Sequence, residues 1–159
     1  MNASSVHRLY LDNASRFQGA SSWMPTRLTL TENESDWFLP TIKRLEDLLR
    51  LERGWDGYDG VPASLMNVYF TIQMLERACW KETPTPQIVP LADGSLQVEW
   101  HTLYGDIELL VRGPNNVRAW KSLANDDEGI ELEITNDVLP ISNWIREITE
   151  PQFELQAAA

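Results

Sequence analysis

The side chains best suited to chemistry in this chain are carboxylates, and the first candidates sit in one glycine-rich loop. Gly54-Trp55-Asp56-Gly57-Tyr58-Asp59-Gly60-Val61-Pro62 sets Asp56 and Asp59 three residues apart among three glycines. Two carboxylates with nearby backbone oxygens could ligate a hard cation. Calcium takes roughly six to eight oxygens, however, and the twelve-residue loop closed by a glutamate is missing. The competing reading is a tight turn whose aspartates bond to their own backbone, with Trp55 as its apolar anchor.

Other routes to catalysis are weaker. His7 and His101 are the two histidines and Cys79 the single thiol, so a zinc site would have to draw carboxylates from distant positions. A Cys79 and His101 nucleophile pair requires the fold to bring the two together, and Cys79 falls on the apolar stripe of a helix, where a free cysteine behaves as a small hydrophobe. Glu99 with Glu108, or Glu131 with Glu133, could do acid and base work only if burial moved their pKa values, and an open sheet face does not provide that burial. No G-x-S-x-G elbow, P-loop or G-x-G-x-x-G is present. The expectation is a protein that is not an enzyme, with no catalytic residue, no metal and no cofactor.

Charge narrows the partners. The 159 residues hold 24 Asp and Glu against 13 Lys and Arg, a formal charge of −11 near neutral pH. Residues 1–82 carry 11 acids and 9 bases, whereas residues 83–159 carry 13 and 4. Such a field repels phosphate backbones, so direct nucleic-acid binding is not expected. It draws the chain instead towards basic surfaces, including the nucleic-acid grooves of other proteins. Acidity that serves only solubility is the bland alternative. No run approaches the ~18 to 20 apolar residues that span a bilayer, and the opening residues lack the plan of a signal peptide. With a single cysteine, the expected address is the cytoplasm.

The elements that position these residues follow from periodicity. Residues 1–25 show no sustained period and read as a flexible arm, and Arg27 to Thr31 as a short strand. From Thr41 to about Glu52, Ile42, Leu45, Leu48 and Leu49 recur at helical spacing, and Gly54 is the expected stop. Pro62 and Ser64 open a second helix reaching about Trp80 through Leu65, Val68, Ile72, Leu75 and Cys79. The period then changes to two: Gln87 to Pro90, Leu96 to His101, Asp106 to Arg112, Val117 to Lys121 and Ile130 to Thr135 read as strands separated by turn residues. Pro140 to Ile148 reads as a final helix ended by Pro151. The expected fold is α+β, an antiparallel meander of about five strands with a helical hairpin and a C-terminal helix on one face, occupying residues 26–151 ahead of a loose tail, 152–159.

Alternation assigns the faces. Leu96, Val98 and Trp100, then Ile107, Leu109 and Val111, then Ile130, Leu132 and Ile134 should face the helices. Gln97, Glu99, His101, Asp106, Glu108, Glu131 and Glu133 then share an outer, acid-rich face, whose like charges cost some stability. Among seven tryptophans, Trp55, Trp100 and Trp144 fall on inward positions, while Trp23, Trp37 and Trp120 lack an inward stripe. Aromatic side chains exposed on a surface are favoured interface anchors. Trp120 beside Glu99, Glu108, Glu131 and Glu133 is therefore the candidate partner-binding set.

The loop Gly54-Trp55-Asp56-Gly57 with Pro62, followed by Pro86, Pro90, Asp93-Gly94-Ser95 and Val98-Glu99-Trp100, resembles a family of small bacterial and phage-borne proteins of uncharacterised function. The resemblance covers roughly residues 45–112 and implies a fold and a bacterial or mobile-element origin, with no activity to transfer. The overall profile is similar to that of anti-defence proteins such as anti-CRISPRs. Together these readings give a non-enzymatic acidic inhibitor that binds a protein partner with a basic surface, such as a nucleic-acid-binding effector complex, with room left for a homodimer. An antitoxin or immunity protein neutralising one dedicated partner is the alternative in the same class, and a small metal-dependent hydrolase built on Asp56 and Asp59 the alternative outside it.

Overall fold

The described elements run, in chain order, as two strands, two amphipathic helices, five consecutive strands and a third helix. The structure is a computed structural model that describes residues 6–10, 27–31, 33–126 and 128–149. It divides into two units, residues 1–34 and residues 35–159. In the first, β1 (Val6–Tyr10) pairs antiparallel with β2 (Arg27–Thr31), Val6 opposite Thr31 and Tyr10 opposite Arg27. The strand at Val6–Tyr10 falls where the sequence shows no regular period. The rest of the expected arm, with Trp23, and the tail at 152–159 lie outside the described residues.

In the second unit, β3 (Gln87–Pro90), β4 (Leu96–His101), β5 (Gly105–Gly113), β6 (Asn116–Leu123) and β7 (Ile130–Ile134) form one antiparallel sheet in chain order. Helices α1 (Phe38–Leu49), α2 (Leu65–Ala78) and α3 (Leu139–Thr149) cover one face of it. Their main contacts are α1 on β3, α2 on β5, and α3 on β5 and β6. This is the α+β meander expected from the sequence. Ile42, Leu45, Val68, Ile72, Leu75, Ile141, Ile145 and Ile148 on the helices meet Val98, Trp100, Ile107, Leu109 and Val117 on the sheet, all buried. Each such side chain contributes about 1.5–3 kcal/mol on burial, before the cost of ordering the chain.

Three helix ends differ from expectation for local reasons. Helix α1 begins at Phe38 rather than Thr41, because Trp37 and Phe38 are themselves buried and Pro40 is tolerated in a first turn, where no intrahelical N–H bond is lost. It ends at Leu49, with the Arg50 amide donating back to the carbonyls of Glu46 and Asp47, before Gly54 is reached. Helix α2 starts as expected, the Ser64 hydroxyl accepting from the Asn67 amide at 3.0 Å. It ends at Ala78, so Cys79 is an extended residue beyond the helix rather than a member of its stripe. Burial still pushes the Cys79 thiol up to about 12, against a hydrogen bond from Thr83 that lowers it.

The inner face needs one correction. Ile130 and Leu132, expected in the core, are 47% and 37% exposed, and only Ile134 of that strand is buried. Strand β7 is one of the two edges of this sheet, paired in it with β6 alone, and α2 and α3 lie mainly over the strands further in. Alternation assigned the side of the sheet, but a residue at the edge can face the helix side without being covered.

The glycine loop and the β3–β4 turn form one assembly. The Val61 amide donates to the Ala92 carbonyl at 2.9 Å and the Ser64 amide to that of Gly94 at 3.2 Å. Buried Asn67 donates its side-chain amide to the Gly94 carbonyl at 3.0 Å. Gly94 has φ +85°, and a Cβ there would sit 3.2 Å from the Pro62 carbonyl oxygen, so glycine is required by both conformation and space.

Candidate functional site

Strand register turns the outer face into rows. Gln87, Glu99, Glu108, Trp120 and Glu131 lie side by side across the five strands. Val89, Gln97, Leu110, Arg118 and Glu133 form the next row, and His101, Asp106 and Ser122 a third. All five expected partner-binding residues, Glu99, Glu108, Trp120, Glu131 and Glu133, are thus brought onto one surface that none of this unit's described helices covers.

The face is acidic but internally compensated. Glu99 and Glu108 are direct cross-strand partners, a repulsive pairing unless something intervenes. His101 intervenes at Glu99, with Nε2 3.1 Å from its carboxylate, while Nδ1 lies 2.9 Å from Asp106. Gln97 donates to Glu108 at 3.2 Å, and Arg118 pairs with Glu131 at 3.1 Å. Five carboxylates therefore share one guanidinium and one imidazole, a mixed pattern that alternation alone did not reveal.

Hydrogen bonds from His101 to Asp106 first and Glu99 second raise its pKa above the ordinary value near 6.5, burial opposing them weakly. A histidine whose pKa is raised by folding adds stability that is fully present below its unfolded pKa and lost as pH rises through the folded one. Proton NMR titration should find His101 above 6.5 in the native protein and close to it in the Glu99→Gln, Asp106→Asn double variant. A native value at or below 6.5 would show that the clamp does not form.

Trp120 is not the free aromatic anchor expected. It is half-buried, and a Cβ at Gly129 in the β6–β7 connection would overlap its indole nitrogen, so that connection lies against the ring. Glycine at 129 is what permits the approach.

The Asp56 and Asp59 loop is likewise engaged. Asp56 Oδ1 accepts from the amides of Tyr58 at 2.9 Å and Gly60 at 3.0 Å, and these bonds, Tyr58's first, hold its carboxyl below the usual range. The Trp55 indole donates to the Val61 carbonyl at 2.9 Å, which makes it the half-buried pin of the loop. Asp59 is exposed at the tip. Among the described residues no group of three or more His, Cys, Asp or Glu side chains is placed to hold a metal ion. The arrangement is that of a self-bonded turn.

Sequence reasoning missed a groove of about 450 Å³ beside α2, lined by Met66, Tyr69, Phe70, Met74, Pro114 and Val138 among others. Its signal was a second stripe on α2, Met66, Tyr69, Phe70 and Gln73 at helical spacing, beside the one counted first. Glu76 at its edge has its pKa raised by burial. Among the described residues no helix is long and apolar enough to cross a membrane. Comparisons with protein families, with curated proteins and with solved structures returned no match.

Proposed function

We propose that this protein is a non-enzymatic inhibitor that binds a basic surface on a protein partner in the cytoplasm, and that the partner is a bacterial nucleic-acid-processing or defence complex, as for anti-CRISPR proteins. The observation that supports the reading is the outer sheet face, where five carboxylates from three strands stand on a surface that none of this unit's described helices covers. A charged face of this kind speeds and orients encounter with an oppositely charged groove more than it adds raw affinity. The compensating His101 and Arg118 lower the repulsion within the face while leaving it net negative. The catalytic alternative loses support because the Asp56 carboxylate is spent on its own loop.

The test is recovery of such a complex from nuclease-treated bacterial lysate at low and high salt, with the wild type and with Glu99→Lys, Glu131→Lys, Glu133→Lys. Binding should survive nuclease and fall with salt, and the triple variant, folded by circular dichroism, should bind roughly tenfold more weakly or worse, about 1.4 kcal/mol at least. Unchanged binding by the reversed face would sink the proposal.

A further inference from the structure

The β4–β5 turn presents Leu103 and Tyr104 to solvent, 89% and 44% exposed. Tight turns favour Gly, Asn, Asp and Ser, whose backbone or side chains help the chain reverse, and a leucine at such a tip offers the fold nothing in return. A single exposed leucine is ordinary on a protein surface. What sets this one apart is how firmly its support is built.

Thr102 and Gly105 close the turn, the Thr102 amide donating to the Gly105 carbonyl at 3.0 Å. The Thr102 hydroxyl donates to the Ile148 carbonyl at the end of α3 at 2.8 Å, and accepts from the Tyr104 amide at 3.1 Å. The Tyr104 carbonyl accepts from the Ala124 amide at 2.9 Å, which ties the tip to the β6–β7 connection. A Cβ at Gly105 would overlap the Ser122 carbonyl oxygen and come within 3.1 Å of Ile148 Cγ2, so β5 is clamped between β6 and α3 just where the tip emerges. An apolar tip held this way loses little freedom on binding, which is how preorganised loops gain affinity.

The surroundings of the tip carry charge. His101 and Asp106 are the last outer-face pair before the turn, and the connection bonded to Tyr104 continues into exposed Asp126 and Glu128. A second copy of this chain would bring the same carboxylates against these, which disfavours self-association through the tip.

We infer that Leu103 and Tyr104 form the apolar anchor of a protein interface and enter a pocket on the partner that is apolar inside and rimmed by Lys or Arg. The inference rests on the binding role proposed above and moves its centre from Trp120 to the end of the sheet. Tyrosine is among the residue types that carry interface energy, and a protruding leucine suits a desolvated pocket.

The experiment places the photocrosslinking residue p-benzoylphenylalanine at position 103 of the full chain in bacteria, with position 58, the exposed tip of the glycine loop, as control. The expected result is one protein crosslinked at 103 at least tenfold above 58, through a segment that mass spectrometry shows to combine apolar residues with Lys or Arg. Leu103→Ser should then weaken that purified protein's binding at least tenfold without altering the circular dichroism spectrum. Crosslinks to a second copy of the chain, to a segment without basic residues, or no stronger than at 58 would overturn the inference. If these appear while salt-sensitive capture of a complex persists, the tip is excluded and the sheet face stands; if capture is lost as well, the binding role falls with it.

Discussion

Trp37→Ala should lower stability by about 3–5 kcal/mol, the usual cost of emptying an aromatic site in a packed core. Trp37 is 1% exposed, packs edge to face on Phe38 with ring centroids 5.7 Å apart, and donates its indole N–H to the Trp80 carbonyl at 3.0 Å. The substitution removes the ring, opens a cavity beside α1, and leaves that carbonyl to the Thr83 amide alone, 3.2 Å away. Against a total of roughly 5–15 kcal/mol for a domain, the loss brings the chain near its unfolding threshold. Trp37→Phe keeps much of the volume and loses the donor, so it should cost about 1–3 kcal/mol. Urea denaturation of the three proteins measures both. If Trp37 were a surface anchor, Trp37→Ala would change stability by less than about 0.5 kcal/mol, as surface substitutions do.

That residue marks where sequence reading stops. The helical count began at Thr41 because Trp37, Phe38 and Thr41 do not announce themselves as one stripe while Pro40 stands among them. The strands were more legible: period two and the turn residues at Asp93-Gly94 and Gly113-Pro114-Asn115-Asn116 give β3 and β4 to the residue and the other three to within two. Side of the sheet was legible too, and it placed all five carboxylates of the outer face together. Cover was not, because Ile130 and Leu132 lie on the helix side of an edge strand that α2 and α3 do not roof. Partnering was also hidden. That His101 reaches both Glu99 and Asp106, or that Arg118 reaches Glu131, depends on register and rotamer, which no single strand's pattern encodes. The glycine loop and the Asp93-Gly94-Ser95 turn stood out separately in the sequence, and their docking across about thirty positions becomes visible only in the fold.

Removing Glu147 and removing its partner Lys121 should have unequal consequences. Lys121 lies on the inner side of β6, 5% exposed, with its ammonium paired to Glu147 of α3 and 5.3 Å from the centroid of the Trp144 ring. Taking that ammonium from water is expensive, and the carboxylate together with the indole face offsets the cost. Glu147→Ala strands the charge under α3 and should cost about 2 kcal/mol. This is less than the ~3–5 of a fully buried pair, because the Glu147 side chain is 46% exposed and water screens it already. Lys121→Met leaves no charge to solvate, fills much of the same space against Trp144, and should be neutral to within about 1 kcal/mol. With Lys121→Met in place, Glu147→Ala should then cost almost nothing, since the buried charge that it paired is gone. Thermal unfolding of the four proteins measures the cycle. A harmless Glu147→Ala beside a costly Lys121→Met would mean that the lysine is held by its aliphatic packing rather than by its charge. Either way the pair lies on the helix side of the sheet, so these substitutions should leave the outer face, and the binding proposed for it, as they are.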